Sequence, residues 1–130
     1  MPLDRAAASE QSLAHHLALV ACRSGHGNGH LINALMRVVY LGWFLQRAGY
    51  GNCPEEQFRI AELAVETTLA RVREYGEWRL PDEAIADFEV LLALYDSQLA
   101  IAPLHEVLAA EQKLRAFLAG SARSPIPVSA

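Results

Sequence analysis

Residues 30 to 48, HLINALMRVVYLGWFLQRA, limit what this chain can fold into more than any other stretch. Between Leu31 and Leu45 only Asn33 and Arg37 are strongly polar. Wound as a helix, the segment lines up Asn33, Arg37, Tyr40, Phe44 and Arg47 on one side. Leu31, Ile32, Leu35, Met36, Val38, Val39, Leu41, Trp43 and Leu45 then point in all the remaining directions. Such a helix holds in water only when other helices wrap it or a second subunit covers it. The interruption at Arg37 and the short length argue against a membrane span, which needs about 20 apolar residues. The stretch predicts the central helix of a bundle.

The flanking segments read as the wrapping. Ser9 can cap a first helix running to Arg23, with Leu13, Leu17 and Val20 as its narrow apolar stripe. Ala14, Ala18 and Ala21 flank that stripe and permit close approach by a neighbour. Glycine at alternate positions makes Ser24 to His30 a loop. The central helix stops at Gly49 and Gly51. A third helix begins at Pro54, with Glu55 and Glu56 facing the positive end of its dipole, and ends at Gly76. Its expected buried positions are Phe58, Ala61, Val65, Leu69 and Val72.

The same start signal repeats at Pro81, Asp82 and Glu83. The fourth helix then carries Ile85, Phe88, Leu92, Tyr95 and Leu99 at alternating three- and four-residue steps, the seam of a tightly packed pair. Pro103 breaks it, because proline has no backbone N–H to donate to Leu99. A fifth helix spans Leu104 to Ala119, with Val107, Ala110, Leu114, Phe117 and Leu118 inward, and Gly120 closes it. No β-branched residues alternate over a useful length, so no strand is expected. The prediction is an all-α, single-domain bundle of about five helices over residues 9–119. Residues 1–8 are expected to be disordered. A Pro/Ser-rich tail over 120–130 should be extended, with Ile126 and Val128 available to dock.

Bulk properties exclude some roles. At 130 residues and 52% hydrophobic content, the chain has the material for one real core. A net charge of −4 removes the usual electrostatic reason to expect nucleic-acid binding. Two cysteines, Cys22 and Cys53, do not make a disulfide framework, and the opening MPLDRAAA lacks the apolar core of a signal peptide. A cytoplasmic location with both thiols reduced follows as the expectation.

Several residues are candidates for function. Cys22, His26 and His30 form C-x3-H-x3-H, with His15 and His16 one or two turns upstream. Thiolate and imidazole suit zinc, although the spacing matches no standard finger and a fourth ligand would be required. The bland alternative is a buried Cys22 and solvated histidines. Gly27, Asn28 and Gly29 precede a helix N-terminus, where free N–H groups favour an anion, but no strand or P-loop lysine accompanies them. A flexible connector, with Asn28 or Gly29 capping the helix, is the better account of them.

Arg37 either pairs with a carboxylate of the fourth helix, such as Asp87, Glu89 or Asp96, or marks the solvent edge. Trp43, Phe44, Tyr50 and Trp78 are candidate interaction residues, the first two better explained as core. No nucleophile elbow or HExxH is present, and spacing supports no catalytic geometry for any Ser/His/Asp set, so the expectation is a protein that is not an enzyme.

The runs DSQLAIAP from Asp96, AAEQKLRAFL from Ala109 and Ser124-Pro125-Ile126, together with RVVYLGWFLQRAGYG from Arg37, resemble small proteobacterial helical proteins labelled Fis-family transcriptional regulators. That resemblance implies a bacterial regulator acting on DNA through a basic C-terminal helix-turn-helix. This chain departs from it there, since its last helix offers only Lys113 and Arg115, with Arg123 beyond. The leading expectation is a regulatory bundle acting through protein contacts, as a homodimer. It has no cofactor, no membrane association and no nucleic-acid partner. A metal- or ligand-binding bundle using the Cys22–His30 loop, and a DNA-associated regulator, are the alternatives.

Overall fold

In the computed structural model, which describes residues 5–121 and 123–126, the chain forms five α-helices. They are α1 (Arg5–Arg23), α2 (Gly29–Arg47), α3 (Glu55–Tyr75), α4 (Ile85–Ile101) and α5 (Leu104–Ala119). A short 3-10 turn, Asp82–Ala84, leads into α4. The described residues contain no strand.

The apolar stretch becomes α2, which touches all four other helices. Ile32, Leu35, Val38, Val39, Tyr40, Leu41, Gly42, Trp43 and Leu45 are buried within the single chain. Burying a large aliphatic or aromatic side chain is worth about 1.5–3 kcal/mol, so this helix carries much of the hydrophobic stabilisation. Trp43 meets the ring of Phe58 on α3 edge-on at 5.5 Å, and Tyr40 meets Phe117 on α5 at 5.4 Å. The Tyr40 hydroxyl donates to Glu62 Oε2 at 2.6 Å, so its polar end is satisfied where the ring is buried.

Punctuation residues set the ends. Asn28 caps α2, its Oδ1 accepting the Leu31 N–H at 2.9 Å. The Gln46 side chain bonds both backbone groups of Cys53, donating to the carbonyl at 2.8 Å and accepting the N–H at 2.7 Å. That pair holds the α2–α3 turn closed. Gly76 ends α3 at φ +72°, a left-handed conformation that glycine adopts without strain.

The segment between α3 and α4 crosses back to α1. The Leu80 N–H donates to the Cys22 carbonyl at 3.1 Å, and the Leu80 side chain enters the core. Gly27 is wedged into the same corner. A Cβ placed there would lie 2.8 Å from both Cys22 Sγ and the Trp78 carbonyl oxygen. The Trp78 ring covers Gly29.

Four details differ from the sequence expectation. The first helix starts at Arg5, so Ser9 lies inside it and residues 5–8 are helical rather than disordered. Residues 1–4 lie outside the described residues. The face of α1 turned to the core is Ala18, Leu19 and Cys22, and the Leu13, Leu17, Val20 stripe is exposed. On α3, Thr68 is buried and Leu69 exposed. The Thr68 hydroxyl donates to the Ala64 carbonyl at 2.9 Å, which removes the cost of burying it. On α5, Leu118 is exposed and Phe117 half-buried. In the tail, Ile126 docks into the core, whereas Val128 lies outside the described residues.

Candidate interaction surface

The outward side of α1 exposes an apolar stripe that its spacing predicted to be buried. Leu13, Leu17 and Val20 are 61%, 58% and 61% exposed, at four- and three-residue steps along one line. Ala14 beside them is also exposed. Asp96 of α4 stands alongside the middle of this line, and its ends carry Glu10 on the N-terminal side and Arg23 on the C-terminal side, both exposed. Neither makes an ion pair with a described residue.

A polar strap fixes α1 to α4. The Ser12 hydroxyl donates to Asp96 Oδ2 at 3.0 Å, and His16 Nε2 lies 3.1 Å from the same oxygen. One turn of each helix is thereby clipped together, the two running antiparallel, since Val20 and Ile85 line a cleft at the other end. The outward residues of α4 alongside include Ala86, Val90, Ala93 and Ser97, all exposed and, Val90 apart, small. Glu89 is exposed on the same side of α4, seven residues before Asp96, so the small outward residues of α4 are edged by carboxylates where they adjoin α1.

Beneath the strap, the His15 ring tilts against Tyr95 at 5.8 Å, and its buried Nδ1 has no hydrogen-bond partner. Burial lowers the His15 pKa, opposed by the nearby Asp96 carboxylate and reinforced by His16 and Arg37. Burial likewise raises the Tyr95 hydroxyl to about 12, assisted by Glu111 and Asp96 and opposed by Arg37. Sequence reasoning missed Ser12 and Asp96 as partners. Their only local signal is that Ser12 and His16 stand one turn apart on one helix face.

The candidate metal and anion residues do not converge. Cys22 is 0% exposed, with its thiol pKa pushed up by burial, while His26 and His30 face solvent. His26 Nδ1 pairs with the Ser24 hydroxyl at 3.1 Å. Among the described residues no three His, Cys, Asp or Glu side chains are placed to hold a metal ion. Gly27 packs on Cys22, Gly29 lies under Trp78, and Asn28 itself takes up the Leu31 N–H at the helix start.

Of the aromatic candidates, Trp43 is 4% exposed and sits in the core, with the Arg47 guanidinium 5.7 Å from its ring. Phe44, Tyr50 and Trp78 are half-buried and rest against the core from outside. Arg37 is half-buried and makes no ion pair with a described carboxylate, so it marks the solvent edge of α2.

Three open clefts adjoin the turn at Asp82–Ala84, one of them lined by Thr67, Arg71, Glu77 and Arg79. The other two lie on either side of it. One lies between Val20, Arg23 and Ser24 and Arg79, Asp82 and Ile85, and the other is lined by Ile60, Leu63, Thr67 and Pro81. Arg79 bridges to Asp82 at 3.2 Å in the first. No described helix is long and apolar enough to cross a membrane. No family model, curated protein or solved structure matches this chain.

Proposed function

We propose that this chain is a non-enzymatic helical-bundle protein that acts through protein contacts, with a second copy of itself as its first partner. The observation that supports this reading is the exposed line of Leu13, Leu17 and Val20 on a helix whose small-residue face is already spent on the core. Exposed apolar patches of this kind mark contact sites more often than they mark idle surface.

The motive for association is no longer α2. Its apolar faces are covered within one chain, so a second subunit is recruited by apolar side chains exposed on the other helices, among which the α1 line is evenly spaced. A rigid bundle with an exposed apolar stripe suits a regulatory or adaptor role, in which binding at one surface is the whole activity.

Static light scattering across the micromolar range tests the reading. A molar mass that rises with concentration from that of one chain to that of two supports it. A mass fixed at one chain throughout rules out the homodimer.

A further inference from the structure

We infer that the self-association surface is α1 itself, paired antiparallel with α1 of a second copy about a two-fold axis beside Leu17. This inference rests on the reading that the chain binds a second copy, and adds which helix does so and in which direction.

Three observations carry it. Glu10, Leu13, Leu17, Val20 and Ser24 follow one another at alternating three- and four-residue steps, and all are exposed. That spacing is the seam of two helices packing side by side at a shallow angle. Next, the seam is bounded by opposite charges, Glu10 and Arg23, with no partners of their own among the described residues. Lastly, the seam is symmetric in position. Counting outward from a point between His16 and Leu17, Leu13 and Val20 are equally far, and so are Glu10 and Arg23.

These facts decide the direction. A parallel pair would set Glu10 against Glu10 and Arg23 against Arg23, two repulsions. An antiparallel two-fold pair sets Leu13 on Val20 of the second copy, Leu17 near its own counterpart, and Glu10 within reach of the long Arg23 side chain. Such an interface is isologous and closes at two chains. The Ser12–Asp96–His16 strap holds α1 and α4 in register, so the surface is formed before the partner arrives. An interface of about one helix pair lies at the small end of specific contacts, so the dimer is expected to dissociate on dilution.

Sedimentation equilibrium on the whole chain, with circular dichroism as a check on folding, tests the inference. Leu17→Glu, on an exposed site, should leave the fold intact and weaken the dimer at least about thirtyfold. Glu10→Arg and Arg23→Glu should each weaken it about fivefold, and the two together should return to within about threefold of the parent. Disulfide trapping in a Cys53→Ser background reads the direction. Mixed Leu13→Cys and Val20→Cys chains should cross-link to each other faster than either does to itself.

A parent chain that stays monomeric removes the underlying reading. A dimer indifferent to Leu17→Glu keeps that reading and overturns α1 as the interface. Preferential Leu13–Leu13 cross-links, or a double charge swap that fails to restore affinity, overturns the antiparallel arrangement.

Discussion

Asp96 on α4 receives both Ser12 and His16 from α1 on one carboxylate oxygen, at 3.0 and 3.1 Å. The three residues are separated by about 80 positions in the chain, 84 for Ser12 and 80 for His16. Asp96→Ala therefore cuts two links at once and leaves the Ser12 hydroxyl unpaired. A loss of about 1–2 kcal/mol in urea unfolding is expected. His16→Ala, half-exposed and losing one link, should cost less than half of that.

Stability should fall as the solution is acidified, and His15 should be one cause. Burial depresses its folded pKa below the unfolded value of 6.5. Above that value both states are neutral at His15 and the group contributes no slope. As the pH drops below it, the unfolded chain takes up a proton that the folded chain resists, and unfolding is favoured. His15→Phe removes the unpaired Nδ1, keeps a ring against Tyr95, and should flatten this part of the dependence when urea midpoints are compared at neutral and mildly acidic pH.

Gly27 has no room for a side chain. A methyl group there would meet Cys22 Sγ and the Trp78 carbonyl at 2.8 Å, one of them backbone. Gly27→Ala should push the 77–80 segment off the end of α1 and cost about 1–3 kcal/mol. The melting temperature should drop, with a change in Trp78 emission. Gly49→Ala meets open space, but at φ +105° it stores backbone strain and should cost about 1 kcal/mol.

Gln98 is a polar side chain at 1% exposure. Its Nε2 donates to the Gly42 carbonyl at 3.0 Å, while its Oε1 is buried without a partner. Removing both ends should be nearly free, so Gln98→Met is expected to stay within about 1 kcal/mol of the parent. Gln98→Glu would bury a carboxylate beside two helix backbones and should cost about 3 kcal/mol or more. Denaturant midpoints of the two variants check the contrast.

The thiols should differ in reactivity. Cys22 is fully buried and Cys53 half-buried, and burial raises both pKa values. A thiol reagent at neutral pH should modify Cys53 slowly and Cys22 only on the unfolding timescale. Mass spectrometry of the digest distinguishes the two.

The helices themselves were legible because proline and glycine punctuate them and α2 is apolar enough to require shelter. Phe58, Ala61 and Val65 on α3, and Ile85, Phe88, Leu92, Tyr95 and Leu99 on α4, were readable from spacing alone and are buried. What spacing could not say is which of two apolar faces a helix turns inward. On α1 the larger side chains, Leu13, Leu17 and Val20, form the obvious stripe, yet the fold buries Ala18, Leu19 and Cys22, where two small residues let α2 and α4 come close. The start at Arg5 was hidden for a related reason: an alanine-rich run propagates helix without any capping signal. Leu69 lost its place to Thr68 because a hydroxyl that can reach Ala64 is buried at little cost. For the Asp96 strap the sequence offered only Ser12 and His16 one turn apart, since their partner 80 positions away meets them only after the chain has folded.

Trp43 and Trp78 occupy contrasting places, one sealed between α2 and α3 and the other lying over Gly29 at the corner where Leu80 hooks onto Cys22. The chain thus carries two built-in optical probes, one for its centre and one for the joint between the end of α1 and the 77–80 segment. Spectra of Trp43→Phe and Trp78→Phe would let the opening of that joint be followed separately from the collapse of the whole bundle.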